Sequence, residues 1–183
     1  PVNFLLFDYK GEFSDIQNNH WLALFDVDRS CILDPLTQPL PFTPFKDFTE
    51  RSINEINLYS TEMSSALYSI DRVSASANMN NRLSEAIVEA YKSTNGAPIS
   101  FELMLKCYQS RMKDANNDDS ISSVLKQLVN AHIFESEDKV SLIDDSYIIK
   151  MDGYPKDGPI AKAIVYFLMS KLNNIYELWI NKQ

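Results

Sequence analysis

The first apolar run of the chain, Phe4-Leu5-Leu6-Phe7, leads into Asp8-Tyr9-Lys10-Gly11-Glu12. A carboxylate delivered by a strand end can order a Mg²⁺-bound water or orient a neighbouring group. Glu12 can polarise water or pair with Lys10, and Gly11 lets the backbone turn tightly between them. The same residues also read as a strand followed by a charged turn, with no chemistry at all. Neither histidine belongs to a motif. His20 precedes Trp21 and reads as a loop residue or as a catalytic one; His132 ends a helix, where it caps or packs. Serine, histidine and aspartate are all present, but no serine lies in a nucleophile-elbow sequence. No Cys/His cluster has zinc spacing.

These side chains need elements to hold them. A short apolar stretch ending in an acid is how a buried parallel strand reads when it brings charge to the carboxyl edge of a sheet, where α/β proteins bind ligands. Trp21 to Phe25 is apolar and ambiguous between a short helix and an edge strand. A second strand, 30–34, stops at Asp34-Pro35. The loop with Pro35, Pro39, Pro41 and Pro44 follows, anchored by Phe42 and Phe45.

Helical spacing then takes over. Ile53, Ile56, Met63, Leu67 and Ile70 mark one helix through about Arg72, and a Ser/Ala/Asn break follows at 74–78. Met79, Leu83, Ala86, Ile87, Ala90 and Tyr91 mark a second, stopped by Asn95-Gly96 and Pro98. Ser100 caps a third, with Phe101, Met104, Leu105, Tyr108 and Met112. The acidic turn from Asp114 to Asp119 lacks the glycine and closing glutamate of a calcium loop, so it reads as a solvated turn. A fourth helix begins near Ser120, with Ile121, Val124, Leu125, Leu128 and Val129 on one face. Two strand-like segments, Val140–Ile143 and Tyr147–Met151, flank Asp144-Asp145. The last helix starts at Pro159, where a missing N–H costs nothing, and buries Ile160, Ile164, Phe167, Leu168, Leu172, Ile175 and Trp179.

The chain has 183 residues, 45% of them hydrophobic, enough for one sizeable core or one domain with a large insertion. A net charge of -8 makes it a poor stand-alone binder of phosphate backbones. Cys31 and Cys107, each in an apolar setting, read as reduced buried thiols of a cytoplasmic protein. No apolar run is long enough to cross a bilayer and no signal peptide is seen, so no membrane partner is expected. The start at Pro1, in mid-strand and without Met, suggests a piece of something longer or a processed start.

The pattern from Phe4 to Glu12 resembles the "hhhhDxKGE" strand that follows the phosphate loop in the HerA/FtsK superfamily of P-loop ATPases, which includes type IV coupling proteins. Ile32-Leu33-Asp34-Pro35 with Leu40-Pro41-Phe42-Thr43-Pro44-Phe45 is similar to that family's "hhDP…hNPF" segment, with Thr43 where Asn is usual. Tyr147 to Gly153, followed by an apolar helix, is similar to the strand, loop and helix that precede the catalytic acidic strand. The particular flavour is similar to the DptH-type ATPases of DNA phosphorothioation-dependent restriction. The resemblance implies a parallel P-loop-type sheet with an all-helical insertion, ATP and Mg²⁺ as cofactors of the intact protein, and Asp8, Lys10, Gly11 and Glu12 near the nucleotide. It also implies DNA, other subunits of a restriction complex and a homo-oligomeric ring as partners.

The departures are as specific. The glycines are Gly11, Gly96, Gly153 and Gly158, so no G-x-x-x-x-G-K-S/T loop can be written. Without that cradle, and without a strand carrying the Mg²⁺-holding acid pair, hydrolysis lacks its ligand and metal sites. No complete catalytic set, no metal site and no bound cofactor are expected of this chain alone.

Two functions of different classes remain. One is an internal segment of a DNA-translocating ATPase, part of a DNA restriction or defence system and inactive by itself. The other is a helical, winged-helix-like protein-interaction module without enzymatic activity, from the helix, helix, hairpin order over 99–151. In that order the recognition helix offers Lys126, Gln127 and Asn130, but Asp118, Asp119, Glu135, Glu137 and Asp138 would repel phosphates, which favours a protein partner. The two differ at Tyr147: it joins the sheet of Phe4 in the first and pairs only with Val140–Ile143 in the second. The expected fold is α/β, a partial P-loop-type parallel sheet with a large all-helical insertion. Its strands lie near 3–8, 30–34 and 146–151. Residues 1–45 and 139–183 form the partial core and 46–138 the insertion, with the last helix, 159–181, on the sheet. An incomplete sheet exposes edges, which invites self-association.

Overall fold

A computed structural model describes residues 3–15, 20–24, 31–70, 76–113 and 117–180, the side chains of Trp21, Ala23 and residues 177–180 excepted. Phe25, Ser30, Arg72, Ser74, Ala75, the segment Asp114–Asn116 and the side chain of Trp179, all of which figure in the sequence reading, lie outside it. The chain divides into two compact units, Pro1–Pro44 with Ile133–Gln183, and Phe45–His132.

The first unit is mixed α/β. It holds β1 (Leu5–Asp8), α1 (His20–Leu24), β2 (Ile32–Leu33), β3 (Tyr147–Lys150) and α6 (Pro159–Ile180). The strands form a parallel sheet in the order β1-β3-β2. Leu5 pairs with Tyr147 and Asp8 with Lys150, while Ile32 and Leu33 pair with Ile148 and Ile149 on the other side. The ladder extends past both ends of β3, with Tyr147 N donating to Phe4 O and Met151 N to Asp8 O, each at 2.9 Å. β3 is central, and its Tyr147, Ile148 and Ile149 are all buried. That explains the unbroken apolar run: a parallel strand covered on both faces has no polar side to alternate with. The Trp21 stretch resolves as helix.

The second strand expected before β3 does not form. Residues 142–145 are turns and bends, and Val140 and Ile143 are exposed while Leu142 is buried. The physical reason lies in β3, whose two edges are already taken by β1 and β2, so no edge remains for a local hairpin. Residues just before it join the proline-rich loop instead: Leu40 N donates to Ile133 O (2.7 Å) and Glu135 N to Leu40 O (3.0 Å). Phe42 is fully buried and meets the Tyr147 ring edge-on at 5.5 Å. α6 buries Ala161, Ala163, Ile164, Phe167 and Leu168, with Phe167 edge-on to Phe134 at 5.8 Å.

The second unit is all-helical: α2 (Ile53–Ile70), α3 (Ala77–Ser93), α4 (Phe101–Gln109) and α5 (Ser120–Ala131), each packed on the next. Ser52 and Glu55 form a reciprocal capping box at the start of α2, and Ser76, Ser100 and Asp119 cap the other three. The apolar stripes are the core: Ile56, Met63 and Leu67 on α2, and Leu83, Ile87 and Tyr91 on α3, face inward. Ile53 is an exception, exposed in the first turn. α4 stops at Gln109, short of Met112, where Ser110 Oγ and the Arg111 guanidinium both donate to Cys107 O. Gly96 closes α3 with φ +87°, and a Cβ there would lie 2.5 Å from Phe48 O. Cys31 and Cys107 are both buried, each within its own unit. No helix of the described residues is long and apolar enough to cross a membrane.

Candidate functional site

Parallel strands all deliver their carboxyl ends to one edge, so β1, β2 and β3 bring Asp8, Asp34 and Lys150 to the same side of the sheet. Asp34 Oδ2 and Lys150 Nζ are 3.5 Å apart, an ion pair between residues far apart in sequence. Asp34 also stops β2: its Oδ1 accepts from Leu36 N, and its carbonyl accepts from Thr37 N and Gln38 N. The proline that follows and this turn account for a strand of only two residues.

Asp8 is 3% exposed. Its Oδ2 accepts from Phe13 N (2.9 Å), Ser14 N (2.8 Å) and Ser14 Oγ (2.8 Å), and its Oδ1 from Lys10 N (3.3 Å). Burial pushes the carboxyl up, but the Ser14 hydroxyl and amide, with the Phe13 and Lys10 amides, outweigh it and hold Asp8 below its ordinary value. The acid thus folds the 9–14 loop back onto the strand end.

Gly11 has φ +72° at the tip of that loop, and a Cβ would lie 2.9 Å from Asp152 Oδ2. The position demands glycine for its backbone and places the loop against Asp152, two residues past β3. Lys10 and Glu12 point outward, their side chains 70% and 64% exposed, with Nζ and Oε1 3.8 Å apart. So open an ion pair is worth little. Lys156 Nζ lies 5.9 Å from the Tyr9 ring centre. Burial raises the Tyr9 and Tyr154 phenols, the latter helped by the charge of Asp34.

The four motif residues therefore share one loop, but they do not share one role: Asp8 is inside and saturated, Lys10 and Glu12 are outside. The sequence reading passed over Ser14, and it did not foresee the Asp34–Lys150 pair. Ser14 lies six residues beyond Asp8, outside the short spacings of local side-chain-to-backbone bonds, and a pair joined only by sheet register leaves no local signal either. Thr43 has its N–H on Asp138 Oδ1 (2.9 Å) and its carbonyl on Lys171 Nζ (3.3 Å). His20 is an exposed residue at the start of α1, and His132 is the left-handed C-cap of α5 (φ 44°). Among the described residues no three His, Cys, Asp or Glu side chains are placed to hold a metal.

The helical unit carries a groove of about 460 Å³ between α2 and α3, lined among others by Ser60, Ser84, Glu85, Glu89 and Arg111. Ser60 and Ser84 hydroxyls meet on it at 3.0 Å, and Arg111 pairs with Glu85 (3.8 Å) and Glu89. Arg111, Glu85 and Glu89 thus spend their charges on one another, beside Lys92. Lys126, proposed for a recognition helix, is likewise bonded to Asp118 (2.6 Å).

Comparison with protein-family models, with curated proteins and with solved structures finds no match for this chain.

Proposed function

We propose that this chain is an internal segment of a HerA/FtsK-like DNA-translocating ATPase of a DNA restriction or defence system, and that it turns over no ATP by itself. One observation carries the reading. Three stretches scattered through the sequence, around Asp8, Asp34 and Lys150–Asp152, converge on a single sheet edge, through the Asp8–Lys150 register, the Asp34–Lys150 pair and the Gly11–Asp152 approach. Those are the stretches on which the resemblance rests, and the edge is where a nucleotide-binding α/β sheet places its ligand. In the intact protein the phosphate loop and the Mg²⁺-holding acids come from elsewhere, and this edge supplies charge beside them. The helical unit is an insertion between the second and third stretches.

The winged-helix alternative loses its wing, since Val140–Ile143 forms no strand and Tyr147 pairs with Leu5 of β1 while Ile148 and Ile149 pair with β2. Isothermal calorimetry with ATP and Mg²⁺ tests the proposal, on this chain and on one extended at both ends in its parent gene. A silent short chain and a binding extended one are expected. Silence from both would remove the ATPase reading and leave a helical protein-docking module to be tested with protein partners.

A further inference from the structure

We infer that Asp8 is a positioning residue rather than a ligand of metal or water, and that Asp8 and Ser14 together lock the 9–14 loop so that Lys10 and Glu12 are the charges offered at the sheet edge. The inference rests on the ATPase reading for its meaning, and it assigns roles inside a motif that resemblance only locates.

The atoms around Asp8 carry it. A carboxylate oxygen has about two lone-pair directions, and Oδ2 already takes three donors within 2.9 Å. The other oxygen takes the Lys10 amide. Mg²⁺ keeps most of its waters when it binds protein, and a side chain 3% exposed has no room for that shell. Every donor comes from the segment immediately after the strand, so the acid closes a loop onto itself. Ser14 gives twice, through backbone and hydroxyl, and is itself 9% exposed. The result is one fixed loop with Gly11 at its bend and the flanking Lys10 and Glu12 turned to solvent.

The test uses the 183-residue chain and Mg²⁺ alone as probe, followed by nuclear magnetic resonance. In the wild type the Asp8 carboxyl resonance should stay in place as Mg²⁺ is added, and the Phe13 and Ser14 amides should be protected from exchange. Ser14→Ala should speed exchange of the Phe13 amide about tenfold or more, the scale of a bond to a charged acceptor. Ser14→Thr, which keeps the hydroxyl, should restore it. Asp8→Asn gives the unlocked reference, with the Tyr147 and Met151 amides of the ladder reporting that the sheet is intact. A wild-type Asp8 resonance that moves with Mg²⁺ overturns the inference, as does a Phe13 amide no better protected than in Asp8→Asn. Failure of the extended chain to bind ATP would instead remove the nucleotide reading and leave these readouts as they are.

Discussion

Two acids, one in each unit, show how differently a carboxylate can be used. Asp119 starts α5: it accepts from Ser122 N (2.9 Å) and from the Tyr108 hydroxyl (2.6 Å), with Arg82 at 3.4 Å. Asp8 ends β1 and accepts from three amides and one hydroxyl of its own loop. The helical acid ties three elements together and has its charge offset by Arg82, whose guanidinium also lies over the Tyr108 ring at 5.7 Å. The strand acid ties only the next few residues, and dipoles alone hold its charge. Both sets of bonds stabilise, but the first fixes helices against one another and the second fixes the path of a single loop. The contrast is what marks the sheet edge, and not the helical unit, as the place where geometry is spent on presenting side chains.

The largest effect that can test this contrast is Asp8→Ala. It strands the Ser14 hydroxyl and amide in a buried setting, so a loss of about 3 kcal/mol is expected by urea denaturation. Asp119→Ala should cost less, about 2 kcal/mol, the cap plus the orphaned Tyr108 hydroxyl. An Asp119→Ala loss larger than that of Asp8→Ala would reverse the ranking. pH sharpens the comparison. Because Asp8 is held below its ordinary value of 3.8, the stability it adds is fully present above that value and fades as pH falls through the folded-state value. Acid unfolding of Asp8→Asn should therefore lack that component, read as a shallower fall in stability below about pH 4. The smallest effect is a gain. His132 holds a left-handed conformation that costs a non-glycine residue about 1 kcal/mol, so His132→Gly should raise the melting temperature by a few degrees.

Much of the architecture was legible because it depends on local spacing. The stripes of α2 to α5, the Ser100 cap and the Asn95-Gly96 stop can be read from neighbours three and four residues apart. The parallel strands at Leu5 and Tyr147 were legible from apolar runs ending in charge. What escaped depends on partners distant in sequence. Val140–Ile143 looks like a strand until β3 is seen to have no free edge. Ile53 fits a helical stripe but falls where the first turn of α2 faces solvent. Asp34 and Lys150 meet only because β2 pairs directly with β3, in a register that sets their carboxyl ends side by side. At the candidate site, the loop and its residues were visible, but the split of Asp8 inward and Lys10 and Glu12 outward needed the coordinates of Ser14.

The order of the sheet also sets an order in time. β1 and β2 do not touch each other through hydrogen bonds; each is completed only by β3, which is translated after the whole helical unit. As the chain leaves the ribosome, α2 to α5 can form from near-neighbour contacts while the two short strands wait with open edges. Sheet closure is then a late event gated by synthesis, and until β3 emerges β1 and β2 have no strand partner among the described residues.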